Sequence, residues 1–170
     1  MKKIMILGAS VYQVPLIRTA KRMGLYTIVS SIPGNYPGFS DADKVCYINT
    51  IDKEAILKVC KEEGVSGICT SGTDVAVATI GHVNEAMGLA GISEEAAVKA
   101  CDKYEMKKAF AAGGVSASKF IKAESLDEAY AAAEEIGYPV VVKCVDSSGS
   151  RGINVVDSRE ELKEDRKSVV

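Results

Sequence analysis

Residues 137–156 of this 170-residue chain, GYPVVVKCVDSSGSRGINVV, carry the side chains best suited to chemistry. A strand over 139–145 is expected to be buried, with one lysine, Lys143, among Val140, Val141, Val142 and Val145. An ammonium in such company loses hydration unless an anion meets it. The loop that follows is Asp146-Ser147-Ser148-Gly149-Ser150-Arg151-Gly152, and a second strand leaves over 153–156. Glycines let a backbone approach closely, and successive N–H groups with hydroxyls and an arginine suit phosphate. The plainer alternative is a hairpin with a polar tip whose lysine snorkels to water. No Gly-Lys-Ser/Thr ends the loop and a strand follows it, so it is not a Walker A sequence.

A second lysine, Lys103, follows Asp102, which can cap a helix over 103–112. A cation in a helix's first turn is unfavourable by roughly 0.3–1 kcal/mol, so the position gains sense if an anion joins it. An exposed lysine tolerating that penalty is the alternative. Candidate substrate contacts are Gly8, Ser10, Gln13, Ser71 and Asp74, all after apolar runs that read as strands. The dinucleotide fingerprint fails here. Gln13 stands at the third glycine position, and the second strand ends in Ser30-Ser31 with no acidic residue for a ribose. Nicotinamide cofactors are not expected. Gly8 is read equally as a packing glycine or as a ligand contact.

The elements that must position these groups alternate regularly. Strands are expected over 4–7, 26–30, 45–49, 67–70 and 89–92, with helices over 13–23, 52–64 and 75–87 between them. Pro15 suits a first helical turn, and Gly24, Gly64 and Gly88 stop the three helices. This order predicts a parallel sheet of about five strands with helices on both faces. The turn-rich stretch 31–43 sits at a strand's carboxyl end, where Tyr36 and Phe39 can anchor it. Organisation changes near Ser93. A short helix, the Asp102-capped helix, a strand over 115–122 and an alanine-rich helix opened by the capping box Ser125–Glu128 lead to the hairpin. A further helix starts at Ser158. The strands from 115 onward need one more to complete their sheet.

Composition excludes several classes. An apolar share of 47% and a net charge of −2 suit a globular core and give no basic face for nucleic acid. Cys46, Cys60, Cys69, Cys101 and Cys144 lack C-x-x-C spacing and read as reduced thiols in a cytoplasmic protein. His82 is the single histidine, so no histidine-rich metal site is expected. The apolar run after the opening Met-Lys-Lys is too short for a signal core or a membrane span.

Two stretches, CDKYEMKKAF over 101–110 and the hairpin sequence above, resemble the ATP-grasp superfamily, nearest its carbamoyl-phosphate synthase and biotin carboxylase-like branch. The resemblance implies an α/β chain: a Rossmann-like preATP-grasp domain over 1–92, then linking helices and an incomplete α+β lid subdomain over 93–170. It implies that ATP with Mg2+ activates a small-molecule carboxylate as an acyl phosphate for attack by an amine, and it leaves room for a homodimer. Lys103, Lys143, Ser147, Ser148, Gly149, Ser150, Arg151 and Gly152 would then contact the nucleotide. The family's adenine hinge and metal ligands lie past the lid, so they are expected after residue 170. By that reading, residues 1–170 alone do not turn over. A non-catalytic nucleotide- or metabolite-binding module, or a Rossmann-like protein for another phosphorylated ligand, are the other readings.

Overall fold

The structure is a computed structural model that describes residues 1–146 and 152–164. The chain divides into two compact units, Met1–Cys101 and Asp102–Val170.

The first unit is built on β1 (Lys3–Leu7), β2 (Tyr26–Ser30), β3 (Lys44–Cys46) and β4 (Gly67–Cys69), in the order β3-β2-β1-β4. Every pairing is parallel, with Leu7 opposite Ser30 and Met5 opposite Ile68. Both faces of the central strands are covered, which is why β1 and β2 read as nearly continuous apolar runs. Met5, Leu7 and Ile28 pack on Ile56, Cys60, Ile80 and Val83. On the other face, Ile6 and Val29 pack on Ile17 and Ala20. Each such side chain, fully buried, contributes roughly 1.5–3 kcal/mol of transfer free energy.

The connecting helices follow their sequence signals. Helix α1 (Val14–Arg22) has its proline in the first turn. A short helix, α2 (Gly38–Asp41), lies in the turn-rich stretch. Asp52 caps α3 (Lys53–Glu63) by accepting from the Ala55 N–H, and Gly64 ends it in the left-handed conformation. Helix α4 (Val77–Met87) ends the same way at Gly88. Helix α5 (Glu94–Cys101) docks on α3 and α4 through charge: Glu94 meets Lys53 at 2.8 Å and His82 at 3.0 Å, and Glu54 lies 3.2 Å from the other His82 nitrogen.

The expected fifth strand over 89–92 is absent: the sheet has four strands. Its backbone groups turn to α4 instead, since the Leu89 N–H donates to the Asn84 carbonyl and the Asn84 amide donates to the Ile92 carbonyl. Leu89 and Ile92 still pack into the core. Their apolar character marked burial, and it said nothing of pairing.

The second unit holds α6 (Lys103–Ala112), α7 (Leu126–Ile136), β5 (Val140–Lys143), β6 (Ile153–Val156) and α8 (Arg159–Glu164). Strands β5 and β6 form an antiparallel hairpin. Ser125 caps α7, accepting from the Glu128 N–H, while the Glu128 carboxylate accepts from the Glu124 N–H. The expected strand over 115–122 does not form either. That segment pairs with no strand and runs along α6 through side chains, with Phe120 edge-on to Tyr104 and Lys107 donating to the Ser118 hydroxyl. Alternating apolar residues at 115, 117 and 121 mimic a strand, but they pair with neither β5 nor β6.

One carboxylate ties three elements of the first unit. Glu63, at the end of α3, pairs with Lys3 of β1 at 2.8 Å and with Lys44 of β3. Hydrogen bonds from Lys3 and then Lys44 hold its pKa down from 4.5 to about 2. A depressed carboxylate stabilises the fold above its unfolded pKa and loses that contribution as pH falls through the folded one. The Glu63→Gln variant is therefore expected to melt below the parent at pH 7. Thermal melts of both should converge as pH drops from 4.5 towards 2. A gap that persists at the acid end would contradict this role.

Candidate functional site

The hairpin of the second unit is two-faced because side chains alternate along a strand. Val140 and its partner Val156 point inward onto Ala129, Ala133 and Leu162. Val141, opposite Val155, and Lys143, opposite Ile153, lie on the other face. That face is open: Val141 is 54% exposed, Val155 65% and Ile153 41%. The strand is thus buried on one side only, which corrects the expectation of a lysine enclosed by valines. Helices cover only the inner face of a two-stranded hairpin, so Lys143 stands in solvent beside an apolar strip.

Lys103 is drawn to the same strand end. Asp102 caps α6 by accepting from the Tyr104 and Glu105 N–H groups at 2.8 and 2.9 Å. The Lys103 N–H donates to the Val145 carbonyl at 2.9 Å, and its ammonium approaches the same oxygen at 3.4 Å. Val145 lies two positions past Lys143 (145 − 143). Two cations from separate elements thereby flank one strand terminus, and the Asp102 cap uses helix N–H groups that an anion would otherwise take. What is left for an anion is lysine charge.

Of the loop residues, Ser147, Ser148, Gly149, Ser150 and Arg151 lie outside the described residues. Gly152 is described. It has φ +63°, its carbonyl accepts from the Cys144 N–H at 3.1 Å, and a Cβ there would sit 2.7 Å from the Cys144 sulfur. Only glycine closes the hairpin at that point.

The first unit has its own cleft, of about 380 Å³, at the carboxyl ends of its strands. Gly8, Ser10 and Gln13 line it. Gln13 is 2% exposed and fastens the loops together. Its Oε1 accepts from the Ser10 N–H at 2.9 Å and the Ser10 hydroxyl at 2.7 Å, and its Nε2 donates to the Ser71 carbonyl. Gly8, at φ +94°, has no side chain because Gln13 fills that space: a Cβ would lie 2.9 Å from Gln13 Cδ. The close approach that a dinucleotide fingerprint reserves for pyrophosphate is here taken by a glutamine.

Ser71 joins this group through its carbonyl and through its hydroxyl, which donates to the Tyr12 carbonyl at 2.8 Å. Asp74 does not line the cleft; its carbonyl accepts from the Val77 N–H and the Cys101 thiol. Ser31, Asn49 and Thr50 also line it and were not singled out in the sequence; Thr73, inside the candidate stretch 71–74, lines it too. Each follows a strand of the parallel sheet, which is the signal that could have found them.

Other reactive groups are quiet. None of the cysteines forms a disulfide, and burial pushes Cys60 up to about 12 and raises Cys46 and Cys69 as well. Thiols so raised are poor nucleophiles. Among the described residues no cluster of three His, Cys, Asp or Glu side chains is arranged to hold a metal, and no helix is long and apolar enough to cross a membrane.

Residues 102–169 match the family described as "Carbamoyl-phosphate synthase L chain, ATP binding domain". The chain is 33% identical over 162 residues to the formate-dependent phosphoribosylglycinamide formyltransferase of Wolinella succinogenes, covering 94% of itself and 42% of that protein. It is 31% identical over 157 residues to the carbamoyl phosphate synthase large chain of Campylobacter jejuni, covering 86% of itself and 14% of that protein. An ADP complex of an N5-carboxyaminoimidazole ribonucleotide synthetase superposes with TM-score 0.83 at 20% identity, over 99% of this chain and 44% of the other, a likeness of fold.

The Gly8–Gln13 contact generates a double-mutant test. Gln13→Ala orphans the Ser10 N–H and should cost about 1–3 kcal/mol. Gly8→Ala should cost about as much, ~1–3 kcal/mol, from its positive φ and the clash. Urea unfolding of the pair combined should show a deficit at least ~0.5 kcal/mol smaller than the sum, because the clash vanishes with the glutamine. Full additivity would show that the two do not share this space.

Proposed function

This chain belongs to the ATP-grasp superfamily, and on that premise we propose that it binds ATP across the outer face of the β5–β6 hairpin as part of a carboxylate–amine ligase. The chain spans 42% of the length of the first curated relative it matches. Residues 1–92 are assigned to the preATP-grasp domain and 93–170 to the linking helices and lid. The substrates are a small-molecule carboxylate and an amine, and five cysteines outside any disulfide fit a cytoplasmic setting.

A single observation carries the reading: Lys143 stands on an open apolar strip of Val141, Val155 and Ile153, with Lys103 held at the end of the same strand. A nucleotide has the matching halves, a flat apolar base and an anionic phosphate chain. Bound ATP, with Mg2+, supplies the phosphoryl group that turns a carboxylate into an acyl phosphate. The chain's own part is electrostatic. Lys103 and Lys143 offset phosphate charge from two elements, which orients the chain of phosphates. The strip excludes water from one side of the base, which strengthens both contacts. The Ser147–Arg151 segment is assigned the cover over the phosphates on its sequence. The carboxylate groups that would hold Mg2+ are not assigned to any described residue.

Calorimetric titration of the whole chain with Mg-ADP and Mg-ATP tests this. Lys143→Met keeps bulk and removes charge, so it should weaken binding at least ~10-fold, about 1.4 kcal/mol. Lys103→Met should act in the same direction. Unchanged affinity in both variants would leave the lysines as surface groups and remove the site.

A further inference from the structure

His82 sits where three helices meet, and both of its ring nitrogens face carboxylates. Nδ1 lies 3.0 Å from Glu94 of α5, and Nε2 lies 3.2 Å from Glu54 of α3. The side chain is 20% exposed, and Nε2 is buried with no aligned hydrogen bond among the described residues. A neutral imidazole has one N–H and donates from one nitrogen, whereas the imidazolium donates from both. The surrounding charge favours a second cation. Lys53 of α3 pairs with the other Glu94 oxygen at 2.8 Å, and Glu85 of α4 accepts from the Glu94 N–H at 3.0 Å. Among the described residues, three carboxylates thus share one lysine at this junction unless His82 carries its proton.

Helix α5 has little else to hold it. Of its eight residues only Ala97 is buried, and an isolated helix of that length is marginal in water. Gly81 permits the close approach, since a Cβ there would lie 2.6 Å from the Ala97 Cβ and 2.7 Å from the Ser93 carbonyl oxygen. The Ser93 hydroxyl accepts from the Ala96 N–H at 3.2 Å, a contact indifferent to pH near neutrality. The Glu94 carboxyl is held below its usual range, first by the Lys53 hydrogen bond and then by the one from His82. It therefore stays ionised wherever an imidazole titrates. The group left to respond to pH is the ring itself.

We propose that His82 is a proton-operated latch: as the imidazolium it ties α5 to α3 and α4 through Glu94 and Glu54 together, and as the neutral ring it lets α5 open. Loss of the proton turns one nitrogen into an acceptor facing a carboxylate and strips the charge from the other contact. Glu54 is 81% exposed, so its side chain swings to water once the attraction goes. The latch is closed below the interval in which imidazole titrates, about pH 5 to 8, and weakens as pH rises through it. What it holds is the last element of the first unit, since the second begins at Asp102. The inference stands on the first unit alone and is independent of the ligase reading.

His82 is the single histidine of the chain, so its ring resonances identify themselves. NMR of the isotope-labelled whole chain between pH 5 and 8 reads those resonances together with amide exchange over 94–101, corrected for the intrinsic effect of pH on exchange. Protection of α5 should fall about 2–5-fold across the interval, the size of a partly exposed ion pair, and share its midpoint with the ring resonances. The amides of β1 should keep their protection throughout, which separates opening of α5 from loss of the fold. His82→Gln keeps a donor for Glu94 and does not titrate, so its α5 protection should be flat with pH. Glu54→Gln removes the carboxylate at Nε2 and should abolish at least about half of the fall. Constant α5 protection in the parent, or a fall whose midpoint departs from that of the ring, would overturn the latch without recourse to a variant. An undiminished fall in His82→Gln or in Glu54→Gln would overturn it as well.

Discussion

The hydrogen bond from the Lys103 N–H to the Val145 carbonyl, at 2.9 Å, is the constraint on which the second unit's site depends. Without it, a helix and a hairpin forty residues apart in sequence (143 − 103) would have no reason to bring their lysines to one place. The Asp102 cap fixes where α6 begins, and so fixes which residue presents its N–H to the strand end. The bond consumes a helix N–H in joining the elements, and the cap consumes two more. Charge for a ligand must then come from side chains. This explains why a lysine stands in a helix's first turn, where the helix dipole disfavours it.

In the first unit the corresponding constraint is Gln13. Its amide accepts from Ser10 and donates to the Ser71 carbonyl, so with the Ser71 hydroxyl on the Tyr12 carbonyl it sets the loops after β1 and β4 against each other. Its volume is what Gly8 leaves room for. The same glutamine turns a common dinucleotide crevice into a cleft of hydroxyls and amides. A parallel sheet places strand ends and helix starts on one edge, so a modest sequence change there redirects chemistry without altering the core.

Much of the fold was legible because its signals were local. Continuous apolar runs gave β1 and β2, Asp52, Asp102 and Ser125 announced their helices, and Gly64 and Gly88 ended theirs. Two strands were misread for one reason. Leu89 and Ile92 are apolar because they pack under α4, and the 115–121 alternation because it flanks α6. Strand pairing depends on a partner strand brought alongside, which a local pattern does not report. The site was legible in part. The two lysines, Gly8, Ser10, Gln13 and the 71–74 stretch stood out by type and spacing, whereas Ser31, Asn49 and Thr50 are ordinary loop residues that converge only when the sheet forms. The exposure of Lys143 was also hidden, since a half-covered hairpin and a buried strand share the same run of valines.

Hydrogen–deuterium exchange of the whole chain with and without Mg-ADP tests the central claim most directly, because it locates the nucleotide without altering a residue. A ligand across the hairpin's open face, anchored at Lys103 and Lys143, slows exchange in peptides covering 102–106 and 140–156 and leaves the first unit's strand-end peptides unchanged. Slowed exchange confined to peptides around Gly8, Gln13 and Ser71, with the hairpin unaffected, would contradict the account.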